Sequence, residues 1–294
     1  MRAKKNEAIR FIDLFCGIGG FRFAAEQVFS KYKLPSQCVF SSDIDPYARE
    51  SYKANFGEYP SGDITQVNEN DIPDHDILFA GFPCQPFSII GHGKGFDDIR
   101  GTLFFDIARI LAAKKPKAFI LENVKQLIGH NKGETLKKIL HVLREELGYT
   151  VYYKSLNALH YGLPQKRERV IIVGFYEPMV FQFPTKQKSF TPLSEILEKE
   201  VDEKHFASDY IREKRLSEHT PTVSPSIWHE NKAGHISSYP YSCALRAGAS
   251  YNYLLVDGKR RLTPKEMLRL QGFPDSFKIA VTESQIRKQA GNAV

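Results

Sequence analysis

Short apolar runs rich in β-branched and aromatic residues alternate with segments of helical periodicity from residue 10 to about residue 176. This alternation is typical of βαβ units on a mainly parallel sheet. Strands are predicted at 10–15, 38–42, 76–80, 118–122, 151–157 and 170–175, and helices at 21–30, 47–55, 103–113 and 135–147. The sequence therefore predicts a doubly wound α/β fold, in which ligands bind beyond the carboxyl ends of the strands.

The alternation stops after Phe175, and the following stretch is interrupted by prolines and mixes serines and tyrosines with other residues. This change predicts a second, smaller domain. The sequence RLTPKEMLRLQGFP then predicts a helix with Thr263 as its N-cap and Pro264 in its first turn. We expect residues 1–176 to form the first domain, 177–262 the second, and 263–294 to return to the first.

The composition narrows the class of protein. Of the 294 residues, 42% are hydrophobic and 26% charged, and no apolar run reaches the roughly 20 residues of a membrane span. The four cysteines lack the spacing of metal ligands, so we expect reduced thiols and no metal. A formal charge of +7 is compatible with a polyanionic partner.

A glycine-rich turn, FCGIGG, follows the first predicted strand and precedes a helix. Glycines there let a ligand approach the backbone, although the same turn can serve only to pack the strand on the helix. Asp43 follows the second strand, where a ribose hydroxyl needs an acceptor, and Asp63 could accept from an adenine amino group. Because GxGxxG is absent, the pattern favours a sulfonium nucleoside over NAD.

The segment GFPCQPFS follows the third predicted strand and holds Cys84 between Pro83 and Pro86. A lone cysteine is usually structural, but a loop at a strand's carboxyl end exposes its side chains and prolines restrict the backbone around it. We therefore predict that Cys84 is a nucleophile that reacts as the thiolate.

A carboxylate and two arginines follow on neighbouring strands. Glu122 ends the apolar run AFILENV, either as a cap of the next turn or as a proton donor paired with the thiolate. Arg167 and Arg169, in QKRER, are two positions apart and would project to one face of a strand. They are either a solvated charge cluster or a fork that binds a carboxylate, carbonyl or phosphate.

Six segments occur in an order that resembles the DNA (cytosine-5)-methyltransferases of bacterial restriction–modification systems: FIDLFCGIGGFR, GFPCQPFS, ENV, QKRER, RLTPKEMLRLQGFP and QAGNAV. The resemblance spans nearly the whole chain except residues 177–260. It implies a Rossmann-like methyltransferase sheet that binds S-adenosylmethionine. By position, the second domain resembles the family's target-recognition domain.

The resemblance also implies a mechanism. The Cys84 thiolate would add to C6 of cytosine while Glu122 donates a proton to N3, which makes C5 nucleophilic toward the methyl group of S-adenosylmethionine. Arg167 and Arg169 would hold the base and the catalytic loop. The target cytosine cannot react inside the duplex, so base flipping is implied.

The site residues that the resemblance implies fall into two sets. The cofactor would contact Phe15, Gly17, Ile18, Gly20, Asp43, Ile44, Asp63, Ile64, Pro83, Leu103 and Asn292. DNA would contact Gln85, Ser88 and Arg246. Arg246 lies in ALRAG, where Ala244 replaces the threonine of a family motif; it is expected to contact either a guanine or a phosphate.

Three other functions remain open: a tRNA cytosine-C5 methyltransferase, a non-catalytic DNA-binding protein and a small-molecule methyltransferase. A tRNA enzyme usually has a threonine-containing sequence after the nucleophile, where this chain has Gln85 and Pro86. A binding protein has no chemical reason to keep the four catalytic residues together. We expect a cytoplasmic monomer that acts on double-stranded DNA beside a cognate restriction endonuclease, with no direct contact to that enzyme implied and no membrane association.

The resemblance also implies that the last segment, QAGNAV, opens a helix that helps to close the cofactor pocket. Since Val294 is the final residue, the sequence predicts an incomplete helix, a loose Asn292 end and weak binding of S-adenosylmethionine. A longer chain or a second polypeptide would then supply the closing helix.

Overall fold

A computed structural model describes residues 7–83 and 102–294 of the chain. Two compact units divide it: unit 1 comprises Met1–Leu156, Arg169–Pro184 and Val294, and unit 2 comprises Asn157–Glu168 and Thr185–Ala293. These borders differ from the predicted ones, because residues 157–168 and 263–293 group with unit 2. The grouping depends on long-range contacts, which cannot be predicted from the local sequence. The functional assignment of the two domains stays a prediction.

Unit 1 is built on a six-stranded sheet in the order β2-β1-β3-β4-β7-β5. Its strands are β1 (Ile9–Leu14), β2 (Ser36–Ser42), β3 (Ile77–Gly81), β4 (Ala118–Val124), β5 (Thr150–Asn157) and β7 (Glu168–Phe175). Each predicted strand is found within two residues of its expected ends.

Strand direction decides where a site can form. The pairs β1–β2, β1–β3 and β3–β4 are parallel, and β7 runs antiparallel to β4. The carboxyl ends of β1, β2, β3 and β4 therefore share one edge of the sheet, and the start of β7 lies at that edge too. The predicted α/β class with a mainly parallel sheet is confirmed.

The helices of unit 1 are α1 (Gly20–Lys31), α2 (Pro46–Phe56), α3 (Leu103–Lys114) and α4 (Glu134–His141). The predicted helix at 135–147 changes its winding partway, because α4 continues as a π-helical turn over Val142–Glu146. The π-helical turn is identified by the hydrogen bond that the Leu147 amide donates to the carbonyl oxygen of Val142, five residues earlier, at 2.9 Å.

Apolar side chains of α3 belong to the main core of unit 1. Phe104, Ile107 and Leu111 are 1% exposed or less and cluster with Leu78 and Leu121 of the sheet. Burying a side chain of this size stabilises the fold by roughly 1.5–3 kcal/mol. This packing holds the strand ends in place. Within residues 7–83 and 102–294, no helix combines the length and apolar character of a bilayer span.

Unit 2 has short strands and four helices among its described residues. A three-stranded antiparallel sheet has the order β11-β8-β9, and β6 pairs with β10 in parallel. The elements are β6 (Gln165–Lys166), β8 (Ile227–Glu230), β9 (Ile236–Tyr239), β10 (Ser242–Cys243), β11 (Leu254–Val256), α5 (Leu193–Ile196), α6 (Asp209–Glu218), α7 (Pro264–Leu270) and α8 (Glu283–Asn292).

The predicted start of α7 is confirmed. Thr263 accepts from the Glu266 amide, and the Glu266 carboxylate accepts from the Thr263 amide, which forms a capping box with Pro264 in the first turn. Such a cap is worth about 1 kcal/mol because it satisfies amides that have no partner within the helix.

The expectation for the last segment is wrong in two respects. Gln289 to Asn292 form the last turn of α8 instead of opening a helix. That end is also packed rather than loose, since Ala290 is fully buried and Gly291 is buried too. A Cβ on Gly291 would overlap the backbone of Ala247, so only glycine permits this close approach.

Candidate active site

The turn between β1 and α1 has a backbone shaped by glycine. Phe15 and Gly17 adopt left-handed conformations, with φ of 55° and 54°. A Cβ at Gly17 would meet no described atom within 4 Å, so a ligand can approach this backbone. At Gly19, with φ 87°, a Cβ would overlap the ring of Phe56, so that glycine is required for packing.

Asp43 joins the ends of β1 and β2. Its Oδ2 accepts from the Gly17 amide at 2.7 Å and its Oδ1 from the Asp45 amide at 2.8 Å. Burial raises the pKa of Asp43, and these two bonds lower it. Each carboxylate oxygen has a second lone pair, so Asp43 can still accept from a hydroxyl group.

The other predicted cofactor residues near this edge differ in exposure. Ile44 is 72% exposed, and Asp63 accepts from the amide and hydroxyl of Thr65 at 3.0 and 2.9 Å. Ile18 and Ile64 are only 1% and 3% exposed. Their side chains belong to the interior, so any ligand contact they make comes from backbone atoms.

The remaining cofactor residues lie at ends of elements. Gly20 begins α1, and a Cβ there would come within 2.9 Å of the Val294 carbonyl oxygen. Leu103 begins α3 and is half-buried, and Pro83 is exposed. Asn292 is exposed at the end of α8 in unit 2.

Asp13 is an ionisable residue that the motif search did not single out, although it lies within FIDLFCGIGGFR. It is fully buried in β1, and neither carboxyl oxygen accepts a hydrogen bond of normal geometry from the residues described. Burial raises the pKa of Asp13 to about 8, against the charge and backbone N–H of Arg22, which lower it.

Asp13→Asn is expected to change the pH dependence of stability. Between about pH 4 and pH 8 the folded chain holds a proton on Asp13 that the unfolded chain has released. The free energy of unfolding of the wild type therefore falls as pH rises, by up to about 1.4 kcal/mol per unit from this group. Asp13→Asn removes that slope, which urea unfolding at pH 5 to 8 measures.

The matched control is Asp74→Asn, because the Asp74 side chain is 87% exposed in the same unit. It should leave the slope of the wild type unchanged. Parallel slopes for wild type and Asp13→Asn would contradict the assignment of the proton.

A buried ion pair forms where β4 and β7 meet. Arg169 Nε lies 2.6 Å from Glu122 Oε1, with side-chain exposures of 20% and 9%. Glu122 is in register with Gly81, the last residue of β3, and a Cβ on Gly81 would be 3.6 Å from Glu122 Oε2. Glu122 is thus next to the point where the chain leaves β3 toward Cys84.

The neighbouring Asn123 anchors the same exit. Its Nδ2 donates to the Phe82 carbonyl oxygen at 2.9 Å, and Phe82 is buried against Phe104. Cys84, Gln85 and Ser88 lie outside the described residues, so their predicted roles stay predictions.

The two arginines of QKRER have different partners, contrary to the prediction of one shared face. β6 ends at Lys166 and β7 begins at Glu168, so Arg167 belongs to neither strand. Arg167 is 5% exposed, and its guanidinium donates to carbonyl oxygens of Leu245, Gly291 and Ala293. A cation is favourable there because the last carbonyls of a helix have no partner within it.

Gln165 is a positioning residue that the sequence analysis passed over. It is fully buried, its Nε2 donates to the Leu270 carbonyl oxygen at 2.8 Å, and its Oε1 accepts from the Leu245 amide at 3.3 Å. Its position within the QKRER motif was the one sequence feature that pointed to a role for Gln165. Together Gln165 and Arg167 hold the ALRAG segment that carries Arg246.

The mainly parallel sheet, with a glycine turn, acceptor carboxylates and a buried Glu–Arg pair at its strand ends, has the Rossmann-like arrangement that the resemblance to methyltransferases implies. The profile of the family described as C-5 cytosine-specific DNA methylase matches residues 9–294. The chain belongs to this family, and the resemblance found in its motifs is confirmed.

Curated relatives of this chain support the same family assignment. Type II methyltransferase M.NgoBI of Neisseria gonorrhoeae is 58% identical over 288 residues, which cover 96% of this chain and 88% of the relative. M.HaeII of Haemophilus aegyptius is 58% identical over 286 residues, with the same coverage of both chains. M.HhaI of Haemophilus parahaemolyticus is 43% identical over 314 residues, covering 100% and 93%.

Among solved structures, the Dnmt2 methyltransferase of S. pombe has a TM-score of 0.72 at 21% identity and covers 98% of this chain and 94% of its own. The Entamoeba histolytica methyltransferase EhMeth has a TM-score of 0.74 at 18% identity, with the same coverage. At these identities the similarity establishes the fold alone.

Proposed function

We propose that the chain transfers a methyl group from S-adenosylmethionine to C5 of a flipped cytosine within a specific sequence of duplex DNA. The transfer proceeds through a covalent bond between Cys84 and C6 of the base; once C5 is methylated, a base removes the C5 proton and the Cys84 thiolate is eliminated from C6. The observation that carries the proposal is the 2.6 Å pair of Glu122 and Arg169 beside the chain's exit from β3. Since its relatives are type II methyltransferases, the enzyme would protect DNA in the cytoplasm from a cognate restriction endonuclease.

The other cysteines support Cys84 as the nucleophile. Burial raises the pKa of Cys16 well above its ordinary value, that of Cys38 to about 12, and that of Cys243 as well. A thiol whose pKa is raised forms little thiolate at neutral pH and is a poor nucleophile. Cys16 also follows a strand end in a motif, but it is buried and its pKa is raised, which leaves Cys84 as the cysteine best suited to act as the nucleophile.

Glu122 and Arg169 suit the proton transfer that addition to the ring requires. A carboxyl group must donate to N3 of cytosine as the thiolate adds to C6, so that negative charge does not build up on the ring. The Arg169 guanidinium fixes the orientation of Glu122 and offers further N–H groups to the carbonyl of the base. Arg167 acts through the carbonyls it holds and is a positioning residue.

The edge formed by β1 and β2 fits a nucleoside cofactor. The open space beside Gly17, the remaining lone pairs of Asp43 and the exposed Ile44 would take the methionine, ribose and adenine parts in turn. Phe15 and Asp63 would complete the adenine site. S-adenosylmethionine supplies an electrophilic methyl group when it is bound.

Transfer of labelled methyl groups tests the proposal. Incubation of the protein with labelled S-adenosylmethionine and either duplex DNA or tRNA should label only the DNA, as 5-methylcytosine at one recurrent sequence. Labelling of tRNA alone would favour the RNA enzyme, and labelling of neither would favour a binding protein or a small-molecule methyltransferase. Sequencing of 5-methylcytosine in plasmid DNA from an expressing strain identifies the site.

A further inference from the structure

A cavity of about 160 Å³ is lined by residues of unit 2. Among the described residues, the charged lining consists of four cations and one carboxylate, which leaves a formal charge of +3 when His205 is neutral. The charged residues are Lys204, Arg246, Arg261, Arg287 and Glu283. A positive balance of this kind favours an anionic ligand over a neutral one.

Two arginines of the cavity are held in fixed positions. Arg287 Nη2 donates to the carbonyl oxygens of Ala249 and Ser250 at 2.7 and 2.6 Å, and its guanidinium lies 4.2 Å from the ring centre of Tyr251. Arg261 donates to carbonyls of the Lys204–His205 segment. Arg287 also forms a side-chain hydrogen bond with Tyr251, and because a guanidinium carries five N–H groups, Arg287 keeps donor capacity for a further acceptor.

Arg246 is exposed at the rim of the cavity. Its guanidinium lies 4.7 Å from the ring centre of Tyr253, and its backbone amide donates to the Tyr253 hydroxyl at 2.9 Å. Within the described residues, the guanidinium has no hydrogen bond or ion pair. Its full donor capacity therefore faces solvent beside Arg287.

The electrostatics around the aromatic wall agree with a concentration of positive charge. A hydrogen bond from Ser284 and the charges of Arg287 and Arg261 lower the pKa of Tyr251. Glu283, which is the single carboxylate in the described part of the lining, forms an ion pair with Lys204 at 2.6 Å. The carboxylate offsets only part of the charge of the four cations.

We propose that this cavity is a subsite for a backbone phosphate of bound DNA, with Arg246 and Arg287 as its ligands. The inference rests on the proposed function. A phosphodiester carries a full negative charge and matches the planar donor fork of arginine, whereas the edge of a guanine is neutral and cannot offset a charge of +3. The cavity thus favours the phosphate alternative for Arg246.

The apolar part of the lining fits the same ligand. Leu245, Leu262 and Met267 contribute carbon surface to the cavity, which can contact deoxyribose next to the phosphate. A subsite of this kind positions the duplex without reading its sequence.

Two variants with opposite effects test the subsite. Arg246→Gln removes a cation from the rim, and Glu283→Gln removes the carboxylate. A single ion pair of unit 1 provides matched controls, because Glu134 also begins a helix and pairs with Lys137 at 2.8 Å. The side chains of Glu134 and Glu283 are 52% and 50% exposed. Dissociation constants for a duplex with the methylation site and one without it are measured between 50 and 200 mM salt.

Arg246→Gln should weaken binding to both duplexes equally, and its penalty should be about threefold larger at 50 mM than at 200 mM salt, because each phosphate contact contributes about 0.9 to the salt slope. Glu283→Gln should tighten binding at low salt. The control variants Lys137→Gln and Glu134→Gln should match the wild type, and all four should melt within a few degrees of it.

Other outcomes overturn the proposal. A loss confined to the specific duplex, with an unchanged salt slope, would identify a base contact. Thermal stabilisation by millimolar inorganic phosphate that Arg246→Gln abolishes, with DNA binding unchanged, would identify a site for free anions. Methylation of DNA by the wild type with no effect of either variant would reject the subsite alone, whereas absence of DNA binding by the wild type would reject the proposed function as well.

Discussion

Cys84→Ser is expected to abolish methyl transfer while leaving DNA binding intact. A serine hydroxyl is almost fully protonated at neutral pH and cannot replace the thiolate that adds to C6. Removing the nucleophile of a covalent enzyme costs on the order of 10⁶ in kcat, so we expect a loss of at least about 10⁴-fold. Duplex DNA with 5-fluorocytosine at the target position should form a stable adduct with the wild type and none with the variant.

Cys243→Ser is the matched control, because it makes the same chemical change at a half-buried thiol in unit 2 whose pKa is raised by burial. Its methyl transfer and adduct formation should equal those of the wild type. An adduct that persists in Cys84→Ser, or that disappears in Cys243→Ser, would contradict the assignment of the nucleophile.

Glu122→Gln is expected to slow methyl transfer by about 10²–10⁴-fold, the usual contribution of a positioned proton donor. Gln keeps the shape of the side chain and an oxygen that can accept from Arg169, so the fold should lose little. We expect the melting temperature to fall by no more than a few degrees, the size of effect that about 1 kcal/mol produces. Single-turnover rates and thermal unfolding measure the two effects separately.

Glu266→Gln is the control with the opposite pattern, because it should change stability and leave catalysis unaffected. Glu266 is fully buried and pairs with Arg260 at 2.8 Å, but it caps α7 in unit 2 and has no proposed part in the reaction. That variant should lower the melting temperature more than Glu122→Gln and leave kcat unchanged. If Glu122→Gln unfolds the protein, or keeps full activity, Glu122 is a structural cap, the alternative that the sequence left open.

The two arginines of QKRER illustrate how far local spacing carries an inference. A separation of two residues predicts one face of a strand, and Arg169 indeed lies in β7 beside Glu122. Arg167 follows the end of β6, which pairs with β10 more than 70 residues later in the chain, and it binds carbonyls of α8. No local pattern contains that information, because the partners are distant in sequence.

The same reason explains why the basic cavity could not be predicted. Lys204, Arg246, Arg261 and Arg287 are spread over more than 80 residues and form no charge run. Arg287 occupies an ordinary helical position. Only the packing of α8 beside the ALRAG segment, which requires glycine at position 291, brings these cations around one space.

The sequence by itself determined the family, the α/β class, the positions of the six main strands and the start of α7. Each depends on a short motif, on hydrophobic periodicity or on a cap, which are local properties of the chain. Only the tertiary structure shows that Asp13 is buried without a normal hydrogen bond from the described residues, that Arg167 supports α8, and that the end of α8 is packed. These features arise from burial and from contacts between distant segments, whose free energy depends on the whole fold and not on neighbouring residues.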